Sequence, residues 1–103
     1  MYTNETTLIG FIRPPTNLPK ILEFEGNKIQ YLEAVIETGR NSSLHIPILI
    51  TGEAFKTARQ WFEVFPEGFH ARTQSTVMMI DGNPRQVVNF IQPREDKRWQ
   101  IFE

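Results

Sequence analysis

The stretch that decides the fold is Ile46-Pro47-Ile48-Leu49-Ile50-Thr51-Gly52, which continues directly into Glu53-Ala54-Phe55-Lys56-Thr57-Ala58. Its first part is almost wholly apolar, as in a buried β-strand. From Glu53 to Phe65 the apolar residues instead recur with the period of a helix. That stripe consists of Phe55, Ala58, Phe62 and Phe65, widened by Ala54 and Trp61. Pro66 and Gly68 then end the helix. The pattern predicts a strand, a glycine turn and one amphipathic helix, with Trp61 in the core.

Residues on both sides of this segment have the period-two alternation of β-strands. Pro47 cannot donate a ladder hydrogen bond, so we expect it at a sheet edge or bulge. Turns are predicted at Gly26 and at Asp81–Pro84. The predicted strands are, in chain order, Leu8–Arg13, Ile29–Thr38, Leu44–Ile50, Phe69–Ile80 and Arg85–Ile91.

This order of three strands, one helix and two strands predicts an all-β fold. We expect a five-stranded OB-fold barrel with one helix between strands 3 and 4. The chain has 103 residues, which suits one domain spanning residues 1–103. Its core is expected over about residues 6–92, followed by a short C-terminal tail, residues 93–103.

Composition excludes several classes of function. There is no cysteine, so disulfides, thiolate zinc sites and cysteine nucleophiles are absent. The apolar runs are too short to cross a bilayer, and the first residues lack the features of a signal peptide, so we expect a cytoplasmic protein with no membrane partner. The formal net charge of -1 means that any binding to nucleic acid must use a local basic patch.

Catalytic motifs are missing from the sequence. His45 and His70 are the only histidines, and their spacing is not that of metal ligands. No glycine-rich phosphate loop, serine elbow or paired-carboxylate motif is present, and Asp81-Gly82 is a turn signal before it is a catalytic acid. We therefore expect no enzyme, no cofactor and no metal site.

The chain resembles the bacterial single-stranded DNA-binding proteins and, more narrowly, their small relative primosomal replication protein N. The resemblance covers roughly residues 6–92. The segment from Leu18 to Ile29 looks like the first hairpin of the family, and Ile46–Gly52 is similar to the strand and turn that precede its helix. Single glycine and alanine matches are Gly10, Gly26, Ala34, Ala58 and Gly68. The resemblance implies a single-stranded DNA-binding protein in replication, repair or recombination, forming a homodimer or homotetramer, with replication proteins as possible partners.

Single strands are held by cations that follow the phosphates and by aromatic rings on which bases stack. Residues expected on outer faces supply both kinds of group: Tyr31 as the ring, and Arg13, Lys20, Lys28, Arg40, His70, Arg72 and Arg85 as cations or polar contacts. Glutamates crowd the early strands, so the binding surface is expected to lean toward the loop after the second strand and toward strands 4 and 5.

Each of these residues also has a simpler interpretation. The alternative for Arg72 is an ordinary solvent-exposed strand face without a binding role. The alternative for Tyr31 is packing across the sheet. Trp99 and Phe102 are expected either to pack the tail against its own barrel or to form a subunit interface. Base stacking is a third option. The rival function is an OB-fold protein–protein interaction module that binds no nucleic acid, which the near-neutral charge favours.

Overall fold

A computed structural model describes residues 5–15, 18–38 and 44–94 of the chain. These residues form six strands and one helix. In chain order the elements are β1 (Glu5–Arg13), β2 (Lys20–Phe24), β3 (Asn27–Thr38), β4 (Leu44–Thr51), α1 (Gly52–Val64), β5 (Phe69–Ile80) and β6 (Asn83–Arg94).

Five of the strands close into a barrel in the order β1-β5-β6-β4-β3, and β3 returns to pair with β1. All of these pairings are antiparallel except the one between β4 and β6. This topology, with α1 between β4 and β5, confirms the predicted OB-fold barrel. The predicted strands 2 to 5 correspond to β3, β4, β5 and β6.

The strand that the sequence analysis did not count is β2, which forms the first arm of the hairpin predicted between Leu18 and Ile29. It pairs with the first part of β3, from Asn27 to Tyr31, while the later part of β3 pairs with β1 at the same edge. The dipeptide Pro14-Pro15 separates β1 from β2 because proline cannot donate to a sheet ladder. One edge of β3 is thus shared by two successive strands.

Both predicted turns join antiparallel strands through two residues with positive φ. Glu25 (51°) and Gly26 (81°) connect β2 to β3, and Asp81 (52°) and Gly82 (79°) connect β5 to β6. Two consecutive positive φ angles match the twist of a hairpin, which keeps the flanking strands in register. Both hairpins extend from the barrel wall.

Pro47 lies in a part of β4 that has a partner on one side. It pairs with Val35 of β3, whereas the pairing of β4 with β6 involves only Leu49 and Ile50. The predicted edge position of Pro47 is therefore confirmed.

The core fills the barrel and extends under the helix. Its fully buried side chains include Ile12, Ile36, Ile48, Ile50 and Val88. The buried face of α1, made of Ala54, Phe55 and Ala58, packs against this cluster. Trp61 is half-buried against the same core, with its ring 5.5 Å from that of Phe69. The helix thus covers the core along the stripe that the sequence predicted.

Alpha1 has 13 residues and is amphipathic. Among residues 5–15, 18–38 and 44–94, no helix is long and apolar enough to cross a membrane.

Closure of the barrel depends on the close approach of β1 to β3 at Gly10. A Cβ atom at this position would lie 2.1 Å from the carbonyl oxygen of Glu37. Gly68 stands in a similar place on the other side of β1, where a Cβ would lie 2.4 Å from the carbonyl oxygen of Ile12. Backbone cannot yield as the end of a flexible side chain can, so only glycine fits at these two contacts.

Replacing Gly10 with alanine should destabilise the fold by about 3 kcal/mol or more, because the new methyl group would push β1 away from β3. Thermal unfolding followed by circular dichroism should then show a Tm lower by roughly 10 °C or more. Thr7→Ala, at an exposed position of the same strand, serves as the control and should cost less than about 1 kcal/mol. Equal Tm values for the two variants would contradict this account of closure.

Candidate nucleic-acid interface

The outer face of β3 forms the floor of the candidate site. Leu32, Ala34 and Ile36 point into the core, so the alternate residues face outward. The outward side chains are Tyr31, Glu33, Val35 and Glu37, all half-buried. The neighbouring strand β4 continues this floor, with His45 beside Glu37 and Pro47 beside Val35.

A small apolar cluster on the outside of the barrel lies beside this floor. Leu49, Ile80 and Val87 are buried there, and Leu22, Tyr31 and Met78 pack against them. These residues come from β2, β3, β4, β5 and β6, so the cluster ties both hairpins to the barrel wall. Tyr31 therefore does pack across the sheet, while part of its side chain remains accessible.

A groove runs along the floor beside this cluster. One cavity of about 320 Å³ is lined by the end of β1 and the Pro14-Pro15 segment, by β3 and β4, and by Arg85 of β6. A second cavity of about 300 Å³ shares Pro47 and Arg85 with the first and extends to Val77, Pro84 and Gln86. We call the two cavities, together with the adjoining side chains of Lys20 and Tyr31, the cleft. Each cavity lies at the lower end of the range for small-ligand sites, about 300–1,000 Å³.

Two carboxylates pair with the cations around the cleft: Glu33, which lines it, and Glu37, which lies beside it. Glu33 forms an ion pair with Lys20 of β2, and its other oxygen, Oε2, lies 3.8 Å from Nη2 of Arg85. Glu37 forms an ion pair with Arg13 and lies 3.7 Å from Nε2 of His45. Three of the predicted cations, from β1, β2 and β6, are thus brought to one surface, but each faces a glutamate.

These contacts alter the proton affinities of two groups. The hydrogen bond from Arg13, together with its positive charge and that of His45, lowers the pKa of Glu37 below its ordinary value, against the opposing effect of partial desolvation. The hydrogen bond to Glu33 and its negative charge raise the pKa of Lys20. Both groups therefore remain charged near neutral pH.

Other predicted site residues lie outside the cleft. Arg72 is exposed on β5, between Ile9 of β1 and Gln92 of β6. His70, two residues earlier on the same face, contacts the ring of Phe11 edge-on at 5.0 Å. The structure does not bring these two residues together with Arg13, Lys20 and Arg85.

Lys28 lies near the tip of the β2–β3 hairpin, opposite Glu23, and is exposed. Because Lys28 is three residues from Tyr31 in β3, it faces the opposite side of the hairpin and lies outside the cleft. Arg40, Trp99 and Phe102 lie outside the described residues, so their predicted roles remain predictions.

The sequence analysis missed His45 as a cleft residue. A signal was present, since Ile46, Ile48 and Ile50 point inward and the alternation therefore places His45 outward, opposite Glu37. The wall formed by Pro14 and Pro15 had no such signal, because it depends on how the chain after β1 passes β3 and β4.

A second surface feature is an exposed apolar area on the outer face of β1, β5 and β6. Ile9 is 48% exposed and Phe90 is 46% exposed. Ile9 is the register partner of Arg72 on the β1 side of β5, and Phe90 that of Gln74 on the β6 side, so exposed polar residues of β5 lie between the two apolar side chains. Each is an exposed apolar side chain on the outer face of the same sheet.

Among the described residues, no three His, Cys, Asp or Glu side chains lie close enough together to hold a metal ion.

Structural comparison with known proteins identifies the fold. No protein-family model matches the chain, and no curated protein matches it in sequence. The mitochondrial single-stranded DNA-binding protein Rim1 from S. cerevisiae aligns with a TM-score of 0.56 and 15% identity, over 90% of this chain and 95% of Rim1. The second single-stranded DNA-binding protein, SSBb, from Mycobacterium smegmatis aligns with a TM-score of 0.54 and 13% identity, over 89% of each chain. At such identities the likeness establishes a shared OB fold.

Replacing Arg13 with glutamine should raise the pKa of Glu37 toward its ordinary value, because the guanidinium is the main cause of the lowered value. A carboxyl with a lowered folded-state pKa contributes stability above its unfolded pKa and loses it as pH falls through the folded pKa. The Arg13→Gln variant should therefore lose less stability than the wild type on acidification. NMR titration of the Glu37 carboxyl measures the shift directly. Arg72→Gln is the control, and equal effects of the two substitutions would contradict the assignment.

Proposed function

We propose that the chain binds single-stranded DNA in the cleft, with little sequence preference. The observation that carries this proposal is the placement of Arg13, Lys20 and Arg85 along one outer wall of an OB barrel, with Lys20 opposite Tyr31 and Arg13 at the other end, beside Glu37. Two structures of the same fold come from proteins named for binding single-stranded DNA, which supports the proposal.

Phosphates of the strand would contact the three cations, each of which comes from a different strand of the barrel. Their separation along the cleft suits an extended polymer better than one small anion. Lys28, on the other face of the β2–β3 hairpin, is a candidate for a contact beyond the cleft. Because every nucleotide carries the same phosphate, these contacts hold the strand without selecting its sequence.

Tyr31 would supply the stacking surface. Its position against Leu49 and Val87 fixes the ring, so little side-chain entropy is lost when a base stacks on it. Stacking of this kind contributes about 1–3 kcal/mol per base and tolerates any base.

Arg72 and His70 are candidates for contacts beyond the cleft. They lie on the outer face of β5, and Phe11 of β1 pairs with both His70 and Glu37, so DNA that reached them from the cleft would cross β1. Arg40 is proposed as a further phosphate contact.

We further propose that the chain acts as a homodimer or homotetramer and as a binder rather than an enzyme, in DNA replication, repair or recombination. The exposed Ile9 and Phe90 favour self-association. The narrower likeness to primosomal replication protein N remains a prediction from the sequence.

The alternative is a protein-interaction module without nucleic-acid binding. Two observations favour it. Glu33 and Glu37 form ion pairs with the cations of the cleft, and the apolar side chains of Ile9 and Phe90 are exposed. Titration with DNA separates the two functions.

Arg85→Gln should weaken binding to oligo-dT about tenfold, because a charge-assisted contact to phosphate is lost. For this variant, the slope of log affinity against log salt concentration should become shallower by about 0.7. Fluorescence titration at two or more salt concentrations gives both values.

Lys56→Gln is the matched control for this experiment, since Lys56 is an exposed cation on α1 that pairs with Glu53. It removes the same charge and should leave the affinity nearly unchanged. In the same titration, Tyr31→Leu keeps apolar contact with Leu49 but removes the ring, and it should also weaken binding. No binding of oligo-dT by the wild type at low salt would exclude the DNA function and favour the interaction module.

Light scattering coupled to size-exclusion chromatography should give the mass of a dimer or tetramer for the wild type. Ile9→Lys should shift it to the monomer, because a charge would be buried without a partner at the interface. Val64→Lys is the control, as Val64 is an exposed apolar residue of α1 away from this surface. A monomeric wild type would refute the proposed self-association.

A further inference from the structure

We propose that Glu33 competes with the DNA phosphates. Its carboxylate forms ion pairs with Lys20 and Arg85 when the cleft is empty, and this lowers the affinity of the cleft for the strand. This inference rests on the proposed function and identifies the residue that limits binding at that site.

Glu33 is placed so that its one carboxylate contacts two cations of the cleft. It lies on β3 on the same face as Tyr31, and its register partner on β4 is the buried Leu49. Lys20 reaches it from β2, and Nη2 of Arg85 approaches its Oε2 from β6 at 3.8 Å. One carboxylate therefore engages two of the cations that a strand would need.

The partial exposure of these groups determines how the competition works. The side chains of Lys20, Glu33 and Arg85 are 47%, 33% and 37% exposed. Ion pairs so accessible to water are weak, so phosphates can displace the carboxylate at low cost. Once displaced, however, the negative charge of Glu33 remains on the floor of the cleft and repels the strand.

The charge balance of the cleft shows why one residue has a large effect. Arg13, Lys20 and Arg85 face Glu33 and Glu37, which leaves the five groups with one net positive charge. Glutamine at position 33 would double that net charge and would release two cations at once. Glu37 engages only one of the three, Arg13, and lies at the opposite end of β3 from Tyr31.

A weaker hold on the strand has a functional consequence. Differences in affinity between variants of one interface are expressed mainly in the dissociation rate. Glu33 would therefore speed release of the strand, which suits a protein that must yield single-stranded DNA to other proteins.

Glu33→Gln is the direct test, with Glu23→Gln as its matched control. Glu23 is an exposed carboxylate on the same hairpin, and it alternates with Lys20 and Leu22, so it faces away from the cleft. Both variants change the net charge equally. Titration with oligo-dT at several salt concentrations, together with stopped-flow dissociation, measures affinity, salt dependence and release rate. Thermal unfolding verifies that both variants remain folded.

We expect Glu33→Gln to raise the affinity about threefold to tenfold over the wild type, with a steeper salt dependence and slower release. Glu23→Gln should change the affinity less than about twofold, because the exposed charge is screened by salt.

The outcomes separate this inference from the function on which it rests. If the wild type binds oligo-dT but Glu33→Gln binds no more tightly than Glu23→Gln, the competitor role is wrong and the DNA function stands. If the wild type does not bind oligo-dT at low salt, the DNA function is wrong and the inference is wrong with it.

Discussion

The passage of β1 over β3 at Gly10 is the contact on which the rest of the structure depends. A side chain there would overlap the carbonyl oxygen of Glu37. Because β1 can approach so closely, it pairs with both β3 and β5 and closes the barrel. Closure positions the end of β1, and with it Arg13, beside Glu37, so one backbone contact shapes both the core and one end of the cleft.

The cleft combines features that favour and oppose binding of an anionic polymer. Cations from three strands lie along one wall of the barrel, with the ring of Tyr31 at one end and Arg13 at the other. Two glutamates on β3 neutralise much of that charge, in keeping with the formal net charge of -1 for the whole chain. The surface is therefore moderately rather than strongly positive, and its affinity for a strand would depend on whether the ion pairs open. A basic track without carboxylates would bind more tightly and release more slowly.

Much of the architecture could be predicted because it follows from local periodicity. Alternation along Ile46–Ile50 and the helical stripe from Phe55 to Phe65 each report one buried face, and burial is the dominant favourable term in folding. The turns at Gly26 and Asp81-Gly82 were predictable for the same reason, since positive φ restricts the residues allowed. The separate strand β2 was not recognised, because its partner is the first part of a β3 strand that the sequence shows as continuous.

Taken alone, the sequence determined five of the six strands, the helix, the turns, the absence of cysteine chemistry and the outward direction of Tyr31 and of the cleft cations. Only the tertiary structure decided which outward residues are neighbours. Arg85 and Lys20 are far apart in the chain yet meet at Glu33, whereas Arg72 lies on another face. The reason is that alternation tells on which side of a strand a residue lies, while the curvature and closure of the sheet bring distant strands together.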